Sequence, residues 1–281
     1  MLPGGHAGAR GAGRGHGDAT TRRTSLGRPD SDDLRRAAAI LAAAERLVVF
    51  TGAGVSKESG IPTFREPETG LWARYDPMQL ATLEGFLRDP ALVWRWYEHR
   101  FGIAAAAEPN PGHHAIAALE ELLPQVIVVT QNIDGLHQRA GSTDVVELHG
   151  TMHSFRCLPG RHRGFGWEVV RAQEERPPRC PECGELLRPE VVWFGEALPQ
   201  AALERAQRLA LACDVMLVVG TSGVVYPAAA IPAAARHAGA RLIDVNPAPD
   251  ALSRLCDVFL AGPGGEVLPA LVEAVREARR R

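Results

Sequence analysis

Short, nearly unbroken apolar runs punctuate the sequence at Leu47 to Phe50, Val126 to Val129, Val145 to Leu148, Val215 to Val219, Leu242 to Val245 and Val258 to Leu260. A strand with one wet face alternates apolar and polar residues, whereas a strand buried on both faces is apolar throughout. Between these runs lie segments of helical character: Leu92 to Ile103, His113 to Leu123, Ala201 to Ala212, Ala228 to Ala238 and Val267 to Arg279. A further helix is predicted to start at the capping sequence Ser31-Asp32-Asp33 and to run through Leu34 and Ile40 to about Ala44. Strands alternating with helices predict an α/β fold, a parallel sheet covered on both faces. No internal repeat is apparent.

Two stretches break this rhythm. Residues 1–28 are mostly Gly, Arg, Ala, Ser and Thr, too poor in apolar bulk to offset the entropy of ordering, so a disordered tail is expected ahead of one folded domain over 29–281. The tail has no apolar core of the kind a secretory signal needs, although a transit peptide shares its arginine-rich, acid-poor bias. From Thr151 to Arg188 there is little periodicity, but there are three cysteines and many charges. A small module of about 151–188, inserted in the main domain and held by a metal, is the physical reading.

The chain has 281 residues, 46% hydrophobic, with 31 Lys+Arg against 33 Asp+Glu and a formal charge of -2. That balance supplies no global pull toward nucleic acid or an anionic membrane, and neither is expected as a partner. The apolar runs are far shorter than the ~20 residues of a membrane-spanning helix. Five cysteines are too few for a secreted disulfide scaffold, and Cys180-Pro-Glu-Cys183 has the spacing of metal or redox chemistry in a reducing compartment. Lys57 is the only lysine. Such replacement of Lys by Arg, with abundant Ala and Gly, has the look of high-GC coding and points to a bacterial, cytoplasmic protein; a monomer is expected.

Candidate chemistry sits where strands end. After Leu47 to Phe50 comes Thr51-Gly52-Ala53-Gly54-Val55-Ser56, the place and composition of a dinucleotide-binding turn, although the third glycine of G-x-G-x-x-G is displaced to Gly60 and an ordinary tight turn remains open. The run Val126 to Val129 leads into Thr130-Gln131-Asn132-Ile133-Asp134-Gly135-Leu136-His137. Polar groups at the carboxyl end of a parallel strand point into the crevice where such sheets bind ligands, though Asn and Asp also serve as plain helix caps. The next strand ends in Glu147-Leu148-His149-Gly150, and an imidazole there suits proton removal near neutral pH. Val218-Val219-Gly220-Thr221-Ser222 and Asp244-Val245-Asn246 repeat the theme.

The block from Gly52 to Arg65, Gly-Ala-Gly-Val-Ser-Lys-Glu-Ser-Gly-Ile-Pro-Thr-Phe-Arg, resembles the opening of sirtuins, NAD-dependent protein deacylases. Gln131-Asn-Ile-Asp134, Leu148-His-Gly150, Val191-Val-Trp-Phe-Gly-Glu196, Gly220-Thr-Ser222 and the strand end at Asn246 are similar to further sirtuin blocks, in chain order over about residues 34–275. The loop Glu66 to Trp72 differs from the family's usual Gly/Ala-rich version. The resemblance implies a Rossmann-like domain with an inserted zinc-ribbon-type module and NAD as co-substrate. It implies NAD contacts from Gly52, Ala53, Gly54, Ser56, Pro62, Phe64, Arg65, Gln131, Asn132, Ile133, Asp134, Gly220, Thr221, Ser222, Asn246 and Gly264, with His149 as general base and Asn132 orienting ribose or water. His137 and His153 read as structural, and His113 and His114 as remote from the chemistry.

The resemblance also implies acylated lysine side chains of proteins as substrates, bound along Val191, Val192, Trp193, Phe194 and Gly195 as an added strand, with nicotinamide and O-acyl-ADP-ribose as products. Tyr97 and Arg100, one helical turn apart, have the Tyr-x-x-Arg spacing of the class III enzymes, which remove succinyl and malonyl groups; Ala81 would leave that pocket roomy. A solvated helix arginine is the plain alternative. Sirtuins bind a structural Zn²⁺ through two Cys-x-x-Cys pairs. Here Cys157, Cys180 and Cys183 are in place but Gly160 stands where a fourth cysteine is expected, and His162 is the substitute ligand to examine; a lost metal site is the alternative. Cys213 and Cys256 read as buried, unreactive thiols. An NAD-dependent ADP-ribosyltransferase, or an NAD-sensing binding protein, would use the same pocket.

Overall fold

The computed structural model describes residues 31–63 and 75–280. The predicted tail, Phe64, Arg65 and the loop from Glu66 to Trp72 lie outside the described residues. The strands, in chain order, are β1 (Arg46–Thr51), β2 (Gln125–Thr130), β3 (Val145–Glu147), β4 (Gly150–Cys157), β5 (Leu187–Val191), β6 (Val215–Val219), β7 (Arg241–Asn246) and β8 (Val258–Ala261). Among the described residues the larger sheet has the order β3-β2-β1-β6-β7-β8 and is parallel throughout. Each predicted strand run lies in this sheet.

The sheet is buried on both sides, as the apolar runs require. Val49, Val128, Leu217 and Ile243 face one core, packed by α1 (Ser31–Ala42) and α10 (Gly264–Arg280) together with Ile116 of the capped helix described below. Val48, Phe50, Ile127, Met216 and Val218 face the other, against Ala206 and Ala210 of one helix (Gln200–Ala212) and Ile231 and Ala235 of another (Ala230–His237). Successive residues of one strand therefore feed opposite cores.

The remaining helices are α2 (Pro77–Leu80), α3 (Leu83–Arg88), α4 (Pro90–Ala106), α5 (Pro111–Ala118), α6 (Leu136–Arg139) and α7 (Trp167–Arg171); the two on the second face become α8 and α9. Helix α4 starts where Asp89 accepts from the Leu92 amide at 2.9 Å and Pro90 occupies the first turn. Its aromatic residues Trp94, Trp96, Tyr97 and Phe101 pack with Phe86, Phe155 and Trp193 in a third cluster. Helix α5 is capped by Asn110, whose side chain accepts from the Gly112 amide at 2.9 Å.

β4 and β5 form a separate antiparallel pair, with a register shift between Thr151 and Phe155. No helix among the described residues is long and apolar enough to cross a membrane.

Candidate active site

The sheet order reverses beside β1, which has β2 on one side and β6 on the other. Ligand crevices of open α/β sheets lie at such a point, beyond the strand carboxyl ends. The Gly52–Gly54 turn packs here directly on the turn after β6: the Gly52 amide donates to the Val219 carbonyl (3.1 Å) and the Gly54 amide to Gly220 (2.8 Å). A Cβ on Gly54 would stand 2.6 Å from the Gly220 carbonyl oxygen, so glycine is required for this backbone contact. The Val55 amide donates to Gly52. These three amides are thus committed inside the protein, and the two glycines serve close packing of the turns more than direct anion contact. The residues that follow form a 3₁₀ segment (Ala53–Ser59), ended by Gly60 in the left-handed region at φ 83°.

Across the crevice Gln131 Nε2 donates to the Thr221 hydroxyl (2.9 Å), and Asn246 Nδ2 donates to the Thr221 carbonyl (3.2 Å) and to Asp244 (2.8 Å). Burial pushes the Asp244 carboxyl up to about 6, against the lowering effect of Ser253 and Asn246. At the start of α10, close to Gly264, the Gly265 amide donates to Glu58 at 2.7 Å. Ile133 and Pro62 are half-buried, and Ala53 is exposed.

Beneath the crevice lies a buried polar network centred on Ser56. Its hydroxyl donates to Asp134 Oδ2 (2.8 Å) and accepts from Asn132 Nδ2 (3.0 Å). His113 Nε2 stands 3.4 Å from the same oxygen, while His113 Nδ1 accepts from the Asn110 amide, which places the ring proton on Nε2. His113 is therefore not remote from the site, as its place in the sequence suggested: the capping turn of α5 brings it in. With its amide nitrogen on Ser56, Asn132 is left with its side-chain carbonyl as the acceptor to present. Asp134 is held by Ser56 and the Leu136 amide (2.9 Å), and burial raises its pKa. His137, structural as expected, bonds Thr51 (2.9 Å), which in turn bonds Thr130 (2.8 Å). Burial lowers His113 to about 4 and His137 to about 3, so both rings are neutral.

His149 follows β3 and is half-buried. Its Nδ1 lies 2.8 Å from the Gln131 carbonyl oxygen. A carbonyl only accepts, so Nδ1 carries the proton and Nε2 keeps its lone pair. Burial lowers the pKa and the Gln131 contact partly restores it, leaving the neutral, basic form in place near pH 7.

The Val191 to Gly195 run is tied to this site by the Val192 amide, which donates to the His149 carbonyl (2.9 Å). The Phe194 amide donates to Ala81 (2.8 Å) and the Trp193 amide to Glu196 (2.9 Å). These amides are spent, so a substrate main chain pairing here would meet carbonyl oxygens and the residues after Phe194. Tyr97 is 2% exposed and its phenol accepts from Trp193 Nε1 at 2.7 Å. Arg100 is buried on the same side of α4, its guanidinium 5.3 Å from the Trp96 ring centre.

The sequence model of the Sir2 family matches residues 52–227. The chain belongs to the Sir2 family. Its relative NAD-dependent protein deacylase 2 of Pyrobaculum aerophilum is 56% identical over 241 residues, 86% of this chain and 95% of that protein. A Sir2 homolog solved in complex with NAD is 43% identical with a TM-score of 0.81, over 91% of this chain and 97% of that one. Sir2Af2, solved with a myristoylated histone peptide, is 41% identical with a TM-score of 0.72, over 89% and 98%.

The metal-type cluster of this sirtuin is complete in an altered form. Cys157, His162, Cys180 and Cys183 place one ligand atom each within 4.8 Å of the others. His162 Nδ1 lies 3.8 Å from Cys157 Sγ and 3.5 Å from Cys180 Sγ. A tetrahedral Zn²⁺ with ordinary Zn–S and Zn–N bonds sets its donors about 3.5–3.8 Å apart, so the four residues fit zinc. Gly160, at φ 72°, turns the chain after Cys157 and lets the His162 amide and ring fold back on the Cys157 sulfur. Cys213 is buried and Cys256 half-buried; desolvation pushes their thiols up to about 11 and about 12.

Sequence reasoning missed Arg188, which is 1% exposed and paired with Glu196 at 2.6 Å. An arginine reads as solvent-exposed by default; the nearby Glu196 and Trp193 were the available signal.

Proposed function

We propose that this sirtuin is an NAD-dependent protein deacylase whose preferred acyl groups end in a carboxylate, succinyl and malonyl among them. The name of the Pyrobaculum relative and the NAD and acyl-peptide complexes of its structural neighbours support the general activity. The observation that carries the acidic preference is the pair Tyr97 and Arg100, one turn apart on α4 and both buried. A phenol and a guanidinium together match a carboxylate by charge-assisted hydrogen bonds, and an acetyl group offers neither a partner.

When bound, NAD supplies the nicotinamide that leaves and the ribose that receives the acyl group. His149, through Nε2, takes the proton of a ribose hydroxyl. Asn132 orients ribose or water with its side-chain carbonyl, and Asp134, fixed by Ser56 and Leu136, meets the carboxamide. The Gly220–Ser222 turn and Asn246 hold the adenosine end. Cys157, His162, Cys180 and Cys183 would hold Zn²⁺ in a structural role.

Arg100→Met tests the preference. It should lower the ratio of kcat/KM for succinyl-lysine to that for acetyl-lysine by about tenfold to a hundredfold, the range for a lost hydrogen bond to a charge. An unchanged ratio would remove Arg100 from acyl recognition.

A further inference from the structure

Arg188 and Glu196 take no part in the chemistry above, yet they make a densely bonded pair of a buried guanidinium and a half-buried carboxylate. The Arg188 guanidinium bonds Glu196 at 2.6 and 3.0 Å and the Val191 carbonyl at 2.8 Å, and lies 3.1 Å from the Trp193 ring centre. Glu196 also accepts from the Trp193 amide at 2.9 Å. Taking the Arg188 guanidinium out of water offsets much of the attraction it gains from Glu196, so what the pair fixes matters more than its own energy. It fixes the Trp193 indole, held on its face by Arg188, at its backbone by Glu196 and against Phe86 at a ring-centre distance of 5.2 Å. The indole N–H is thereby aimed at the Tyr97 oxygen, 2.7 Å away.

This contact has a direction. An indole nitrogen only donates, whereas a phenol has one proton to give and lone pairs to receive. Tyr97 therefore acts as acceptor toward Trp193, and its own proton points elsewhere. Among the described residues, this is the hydrogen bond the phenol makes. Burial raises the Tyr97 pKa, so the proton is retained at all working pH values.

We propose that Trp193 is a positioning residue that sets the polarity of the Tyr97 hydroxyl, so that the acyl pocket presents a donor and selects acyl groups ending in a hydrogen-bond acceptor. The inference rests on the acidic-acyl reading and deepens it. Specificity arises here from a group two bonds removed from the substrate, anchored by the Arg188–Glu196 pair.

The test is steady-state kinetics on one peptide carrying succinyl-lysine or acetyl-lysine, with wild type, Trp193→Phe, Tyr97→Phe and the double variant. Trp193→Phe should raise the ratio of KM for succinyl to KM for acetyl about tenfold and leave the ratio of the kcat values within about twofold, the size of one hydrogen bond. It should add nothing to Tyr97→Phe, because both act through one hydroxyl. Incorporating 3-benzothienylalanine at position 193, which keeps the shape and replaces N–H by sulfur, guards against a packing effect and should reproduce the Trp193→Phe ratio. A wild-type ratio for that analogue, equal changes on both substrates, or independent effects of the two substitutions would each overturn the proposal. If Tyr97→Phe abolishes succinyl selectivity and Trp193→Phe does not, this inference alone falls. If wild type shows no succinyl selectivity and Tyr97→Phe changes nothing, the acidic-acyl reading falls with it.

Discussion

His149 shows how one backbone contact decides a residue's chemistry. Its Nδ1–H is fixed on the Gln131 carbonyl, and burial depresses its pKa. A lowered pKa means the neutral base persists to lower pH, so the acid limb of kcat/KM should lie below the ordinary imidazole value of about 6.5. A limb above that value would contradict the assignment. His149→Ala should lose about 10²–10⁴-fold in deacylation with an unchanged circular dichroism spectrum; a folded variant with full turnover would remove the role. Burial holds His113 and His137 neutral, lowering them to about 4 and about 3. Their NMR ring resonances should stay flat from pH 8 to about 5, and the same depressed values mean that stability is full above the unfolded-state imidazole pKa and drains away as pH falls below it. His149 was legible because it ends an apolar run. His113 was not, because its approach to Ser56 depends on how the Asn110 cap aims α5 across the sheet edge.

Among the elements, the large sheet was readable because both its faces are buried, which leaves its strands as unbroken apolar runs. β4 and β5 were not. In β4 the buried Met152, Phe155 and Cys157 are interspersed irregularly with half-buried and exposed residues, and the register shift between Thr151 and Phe155 breaks the two-residue period that would have marked a strand. The turn after β1 was legible as a glycine motif, but its use was not: its amides pair with the neighbouring turn. From that packing, Gly54→Ala should cost about 1–3 kcal/mol in chemical unfolding, since the new methyl meets backbone that has little room to yield. A loss within a few tenths would show that the two turns separate freely.

At the scale of the whole molecule, the small antiparallel sheet and the Cys/His cluster stand apart from the six-stranded sheet, and Gly160 in place of a fourth thiolate is compensated by His162. Purified protein should contain close to one zinc per chain by elemental analysis. His162→Ala should lose most of it and lower the melting temperature; full zinc retention would assign the fourth ligand elsewhere. The identity of the substitute ligand was suggested by sequence, but its fit needed the turn at Gly160. The catalytic claim is tested most directly by NAD-dependent nicotinamide release on one peptide carrying no acyl group, acetyl-lysine or succinyl-lysine, with product masses recorded. Release is expected only with acyl-lysine, faster with succinyl, with a product of ADP-ribose plus the acyl group; acyl-independent release, with ADP-ribose left on protein, would instead assign ADP-ribosyl transfer.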